Sequence, residues 1–237
     1  MRDLLKNKKY FDKYIKKVNI DILEFKELLG EILVERSLED QGVKVGYITL
    51  DNLYKEQFIA MYSAGHSIDN EMKEFYFKWL EKAEIVSNDE YSYVDLLWLV
   101  SIAILLDLQE ELSERLSAMA KKLKMNDGFI EYLLNPSAEN LKNLSFFMAK
   151  PYSEWGKIVT APDHKKITLI KKYLTSKWYR SHDEEGWYDS HLSNEDIYSG
   201  YWSFESGAMV KVLGLDDSEL KDVPYYPYDL VHAGNQK

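Results

Sequence analysis

Phe11–Asp40 reads FDKYIKKVNIDILEFKELLGEILVERSLED, and its apolar residues recur at steps of three and four: Phe11, Ile15, Val18, Ile22, Phe25, Leu29 and Ile32. An α-helix places residues at that spacing on one face, whereas a strand would alternate them between two. The stretch predicts a long amphipathic helix, and a helix with one apolar stripe needs other helices to cover it. Working outward, the same period returns. YITLDNLYKEQFIAMYSAG predicts a second helix, set off from the first by Gly42 and Gly46 and ended near Gly65. SIDNEMKEFYFKWLEKAEIV predicts a third, with Phe75, Trp79 and Leu80 inward. A polar break at Asn88, Asp89 and Glu90 precedes YVDLLWLVSIAILLDL, Tyr93 to Leu108, the most apolar run in the chain. That run is shorter than a membrane span and carries Asp95 and Asp107, so it predicts a buried central helix. Leu112, Leu116, Met119 and Leu123 mark a fifth.

From Asp127 and Gly128 the chain is broken by Pro136, Pro151 and Pro162. FIEYLL, LKNLSFFMA and YSEWGKIV predict short helices between the breakers, and HKKITLIKKYLTSKWYR predicts a longer one. SHDEEGWYDSHLS, Ser181 to Ser193, has no steady period and reads as an ordered loop. Ser193 with Asp196 resembles a capping box for a helix through EDIYSGYWSFESGAMVKVLG, ended by Gly214. VKVGYITL alone resembles a strand, and it lacks a partner. The expected fold class is all-α, an irregular multi-helix array of packed antiparallel helices. An N-terminal helical part over residues 1–125 and a C-terminal part over 126–237 are expected, either separate or continuous with one another.

The 237 residues include no cysteine, which excludes a disulfide framework, a thiol nucleophile and thiolate metal ligation. MRDLLKNKKYFDKYIKKV has no apolar stretch of the kind a signal peptide carries, so a cytoplasmic protein away from membranes is expected. The net charge of −10 is unevenly spread. Ser181–Lys237 holds 3 Lys/Arg against 12 Asp/Glu, a balance of −9, and the remaining 180 residues hold 27 against 28. Such a segment disfavours direct contact with nucleic acid and favours a basic protein partner.

Within that acidic quarter, Asp183, Glu184, Glu185, Asp189, Glu195 and Asp196 are interleaved with Trp187 and Tyr188. Carboxylates pair bidentately with arginine, and Trp and Tyr supply contact area, so these eight are the candidate partner-binding residues. The bland alternative packs Trp187 onto the helices and leaves the acids solvated. Glu205 falls on an expected helical stripe with Tyr198, Trp202, Met209 and Val212, where a carboxylate needs a buried partner. A structural role is expected for it, because a catalytic acid would need a second group at a set distance. His182, Asp183, Asp189 and His191 include metal-ligating types, but their spacing matches no strong metal pattern. Phosphate-loop, dinucleotide and nucleophile-elbow motifs are absent. Lys6, Lys8, Lys9, Lys13, Lys16 and Lys17 share the first helix with Asp3 and Asp12 nearby, and read as a solvated face.

GWYDSHLSNEDIYSGYWSFESGAMVKVLGLDDSELKDVPYYPYDLV, Gly186 to Val231, resembles the C-terminal signature of the PoNi immunity proteins. The residues that carry it are Trp187, His191, Tyr198, Gly200, Tyr201, Trp202, Phe204, Glu205, Ala208, Leu215, Asp216, Asp217, Tyr226, Pro227, Tyr228 and Asp229. The match is close over about the last fifth of the chain and diffuse over most of the rest. The resemblance implies an all-helical antidote that binds its cognate PoNe toxin, a DNase of the PD-(D/E)xK type, and shields the nuclease active site. It implies neither cofactor nor catalysis. It also implies that His191, Tyr198, Tyr201, Trp202, Phe204, Glu205, Asp216, Asp217, Tyr226, Pro227 and Asp229 maintain the fold, while residues that set specificity lie elsewhere. Two readings remain beside it: an acidic helical adaptor or DNA mimic for another basic protein, and a carboxylate- or metal-dependent hydrolase.

Overall fold

The computed structural model describes residues 1–38, 40–87 and 91–235, and among them every regular element is helical. The polar break read at Asn88, Asp89 and Glu90 lies outside the described residues. The chain forms two compact units. One comprises Met1–Ser87 with Asp189–Gly200, the other Asn88–Tyr188 with Tyr201–Lys237.

The first unit is built on α1 (Lys8–Glu35), α2 (Gln41–Ala64) and α3 (Asn70–Val86). α2 packs against both neighbours, and the short connections make an up-down-up hairpin. α1 buries Phe11, Tyr14, Val18, Ile22 and Leu29, while Ile15, Phe25 and Ile32 are half-buried at the edges of that stripe. Each helix starts on a side-chain cap: Asn7 accepts from the amide of Tyr10, Asp40 from Gly42 and Val43, and Asp69 from Glu71 and Met72. The cap on Asp40 corrects the expectation that Gly42 and Gly46 interrupt the chain. Both lie inside the first turns of α2, and so does the strand-like VKVGYITL. Gly46 is there for proximity, since a Cβ would sit 2.9 Å from Cδ1 of Leu29 on α1.

The N-terminus is strapped to the end of α2. The amides of Arg2 and Asp3 donate to the Ser63 carbonyl at 2.9 and 3.0 Å, and the Arg2 guanidinium donates to the carbonyls of Tyr62 and His66. Gly65 ends α2 at φ 86°, and a Cβ there would meet the Met1 nitrogen at 2.5 Å.

The second unit centres on α4 (Tyr93–Leu105), in which every residue but Asp95 is buried. It packs against α5 (Gln109–Lys122), α6 (Gly128–Leu134) and α10 (Phe204–Leu213). Burying a Leu, Ile or Phe side chain stabilises by about 1.5–3 kcal/mol, so α4 is the main apolar investment of this unit. Asp127 organises the junction before α6. Its Oδ1 accepts from the Ile130 amide at 2.7 Å, and its Oδ2 accepts from the Tyr93 hydroxyl at 2.9 Å and the Phe147 amide at 2.6 Å. α7 (Ala138–Lys142), α8 (Glu154–Thr160), α9 (Asp163–Tyr173) and α11 (Tyr228–Val231) complete the set. LKNLSFFMA is not the predicted helix, because α7 stops at Lys142 and the following backbone supplies the Asp127 contact instead. α9 runs on through a π-turn at Leu174–Trp178 and a tight turn at Tyr179–His182, which rotate Trp178 and His182 inward.

The helix expected from Ser193 onward also differs. α10 begins only at Phe204, and Gly214 ends it at φ 62° as expected. Ser193 accepts from the Glu195 amide but starts no helix, and Gly200 sits at φ 131° in extended chain. No described helix is long and apolar enough to cross a membrane.

Candidate functional site

The chain passes from the second unit to the first between Tyr188 and Asp189, so the acidic loop is shared out between them. In the second unit Asp183 and Glu184 are exposed and Glu185 is half-buried. Asp183 lies 3.8 Å from the Lys150 ammonium, a distant and solvated pair that costs a partner little to displace. Trp187 is half-buried. Its ring stacks on Trp178 at 5.8 Å and approaches His182 at 5.2 Å and Tyr201 at 5.5 Å. Tyr188 stacks on Tyr179 at 4.6 Å. The two aromatics therefore hold the loop onto the unit and leave the carboxylates of Asp183 and Glu184 facing water.

In the first unit Asp189 and Glu195 are exposed, and Asp196 is held 2.6 Å from the Lys13 ammonium on α1. Leu192 and Ile197 stand exposed beside these acids, by 69% and 46%. Tyr198 anchors the segment. Its hydroxyl donates to buried Asp3, its amide donates to the Tyr10 hydroxyl at 2.9 Å, and that hydroxyl donates to the Tyr198 carbonyl at 2.9 Å. Asp3 also caps the backbone at Leu5 and Lys6. Ser63 donates to the Ser199 carbonyl at 2.7 Å, and His191 sits edge-on to Tyr198.

The remaining signature residues surround α10. Tyr201, Trp202, Phe204, Glu205, Tyr226 and Pro227 are buried. Phe204 meets Trp98 edge-on at 5.6 Å. Asp217 accepts from the Tyr226 hydroxyl at 2.7 Å and pairs with His232 at 2.9 Å. Asp216 is exposed and accepts from the Ser218 amide, and Asp229 is half-buried in the first turn of α11. Pro227 packs so closely on Gly207 that a Cβ there would meet its Cγ at 2.8 Å.

Glu205 is fully buried. The Ser203 hydroxyl donates to its Oε1 at 2.6 Å and the Tyr173 hydroxyl at 3.4 Å, while Oε2 has no hydrogen-bond partner among the described residues. The Trp178 indole lies near enough to favour the charged form but outside hydrogen-bond geometry. Burial dominates and pushes the carboxyl up to about 7. His182 is equally enclosed, between the Tyr152 hydroxyl at 2.9 Å and the Trp178 carbonyl at 2.7 Å, and burial pulls its imidazole down to about 4. Sequence reasoning missed this enclosure and the burial of Asp3 and Asp127. A long-range partner such as Tyr198 for Asp3 leaves no mark in local spacing.

Among the described residues no group of three or more His, Cys, Asp or Glu side chains is arranged to hold a metal. His182 is turned into the core of the second unit, and His191 belongs to the first. Of the twelve acids after Ser181, seven are exposed: Asp183, Glu184, Asp189, Glu195, Asp216, Glu219 and Asp222. The excess negative charge is therefore available to a partner.

A family model described as PoNe immunity protein (PoNi), N-terminal, matches residues 2–118, and its C-terminal counterpart matches residues 125–230. Among solved structures, the crystal structure of protein PA2201 from Pseudomonas aeruginosa is similar, with a TM-score of 0.67 and 16% identity over 98% of this chain and 90% of that one. At that identity the likeness is one of fold. No curated protein sequence matches the chain.

Proposed function

The chain belongs to the PoNe immunity protein family, and we propose that it confers immunity by binding a DNase toxin directly and covering the surface on which that toxin holds DNA. A nuclease grips the phosphate backbone with lysine and arginine, so its working surface is basic. Exposed carboxylates compete for those same cations, and each can accept two parallel hydrogen bonds donated by an arginine fork. The observation that carries the reading is the exposure of seven of the twelve acids in the last quarter of the chain, against three Lys/Arg in the same segment.

Solvated ion pairs contribute only about 0–1 kcal/mol each, so the acids act chiefly by steering encounter and fixing orientation. Affinity then comes from apolar contact, for which Leu192 and Ile197 flank Asp189 and Glu195. Inhibition of this kind is stoichiometric and uses no cofactor or catalytic group. The partner is a basic protein and not nucleic acid, which the same carboxylates would repel.

The test is a binding titration of the purified chain against a PoNe-type nuclease, with Asp183→Lys and Glu184→Lys combined. A slower association rate, with its salt dependence reduced, supports the reading. An unchanged rate and affinity would remove these acids from the interface.

A further inference from the structure

The outward face of α1 carries a charge order that does nothing for the helix itself. Opposite its buried stripe, the exposed residues run Lys9, Lys13, Lys16, Ile20, Leu23, Glu24, Glu27, Glu31, Val34 and Glu35. The first half is basic and the second acidic. A helix dipole favours the reverse, acids at the N-terminus and bases at the C-terminus. α1 has no acid in its first turn and no base in its last. Lys13 is engaged by Asp196. Among the described residues, Lys9, Lys16, Glu24, Glu27, Glu31 and Glu35 make no ion pair within the chain. At the middle and the acidic end stand three large aliphatics in water: Ile20, Leu23 and Val34 are 46%, 65% and 85% exposed.

We propose that this face is the interface of a symmetric dimer, with α1 of a second copy of this chain packed antiparallel across it. The sequence of the face is complementary to its own reverse. A two-fold axis between residues 21 and 22 sets Ile20 level with Leu23 of the second copy and Lys16 level with Glu27, and it brings Lys9 to within one residue of the level of Glu35 and Lys13 to within one residue of Glu31. Each contact occurs twice, as an isologous interface requires. The apolar pair lies at the centre and the charges lie at the rim, the usual anatomy of a protein interface. The antiparallel dipoles also offset one another, which relieves the unfavourable charge order of the isolated helix. A single helix pair buries less than the ~1,200 Å² of a tight complex, so association is of micromolar order. The proposal concerns assembly and stands apart from the toxin-binding reading.

The experiment is sedimentation velocity on the full chain from about 1 to about 200 µM, at low and high salt. The wild type is expected to pass from monomer to dimer in this range and to weaken as salt rises. Glu27→Lys with Glu35→Lys, and separately Lys9→Glu with Lys16→Glu, are each expected to lose self-association by at least about tenfold. Mixed in equal amounts, the two variants are expected to pair with each other. Leu23→Glu is expected to be monomeric. Every replaced residue is exposed, so unchanged helicity by circular dichroism checks each fold. A wild type that stays monomeric throughout overturns the proposal. So does a dimer that survives both charge variants, or a pair of variants that fail to recover on mixing.

Discussion

Replacing Glu205 by Gln tests whether the second unit is built around a carboxyl that is neutral when folded. In the folded chain burial moves this group from 4.5 to about 7, and the gap corresponds to ~3 kcal/mol. The sign follows from where the proton sits. Below about 4.5 both states hold it and stability is at its full value. As pH rises toward about 7 the unfolded chain releases it first and stability falls, and above that the loss is complete. His182 works in the opposite sense. Burial lowers it from 6.5 to about 4, so its contribution is intact above 6.5 and is lost as pH falls through about 4. Between 4.5 and 6.5 the two slopes oppose one another, and the wild-type profile is shallow.

Glu205→Gln removes one slope and leaves the other. The difference in unfolding free energy between wild type and variant is therefore expected to shift by ~3 kcal/mol against the wild type from pH 4.5 to above 7. Urea denaturation at a series of pH values, followed by tryptophan fluorescence, measures it, since Trp178 lies beside the carboxyl. A difference that stays constant across that range would refute the reasoning.

Other substitutions probe the packing and the surface. Tyr198→Phe strips the hydroxyl from buried Asp3 and is expected to cost about 1–3 kcal/mol in chemical denaturation, the penalty of an unpaired buried acceptor. Gly207→Ala drives a methyl into Pro227 and Val231 and is expected to lower stability by about 1–3 kcal/mol, read as a fall in the denaturation midpoint. Trp187→Ala is expected to cost about 3 kcal/mol or more, because its ring joins Trp178, His182 and Tyr201 in one cluster; an unchanged midpoint would contradict that packing. Asp183→Lys with Glu184→Lys is expected to leave the denaturation midpoint within about 0.5 kcal/mol of wild type, since both acids are exposed.

The helices were legible wherever one face alone is buried. The stripe from Phe11 to Leu29 declares α1, and the apolar run from Leu96 to Leu105, in which Ser101 alone is polar, declares a helix enclosed on all sides. Boundaries were less legible where glycine serves proximity and not a turn, as Gly46 does against Leu29. The stretch from Ser193 to Ser203 misled for a different reason. Its period is compatible with a helix, but Tyr198 gains more from Asp3 and Tyr10, 195 and 188 residues away, than from neighbours three and four along. Such pairings are tertiary, and local spacing holds no record of them. The acidity of the last quarter was plain from composition. Which of its carboxylates face water and which, like Glu205 and Asp217, lie buried among hydroxyls and aromatics became visible only when the chain was folded.

The central claim is that this chain silences a nuclease by occupying its DNA-binding surface. DNA cleavage by a PoNe-type toxin, titrated with purified immunity protein at fixed salt, tests it most directly. Cleavage that falls to zero at a one-to-one ratio, with DNA displaced from the toxin as the complex forms, is the predicted result. Full cleavage in the presence of excess immunity protein, or a stable complex that still binds and cuts DNA, would contradict it.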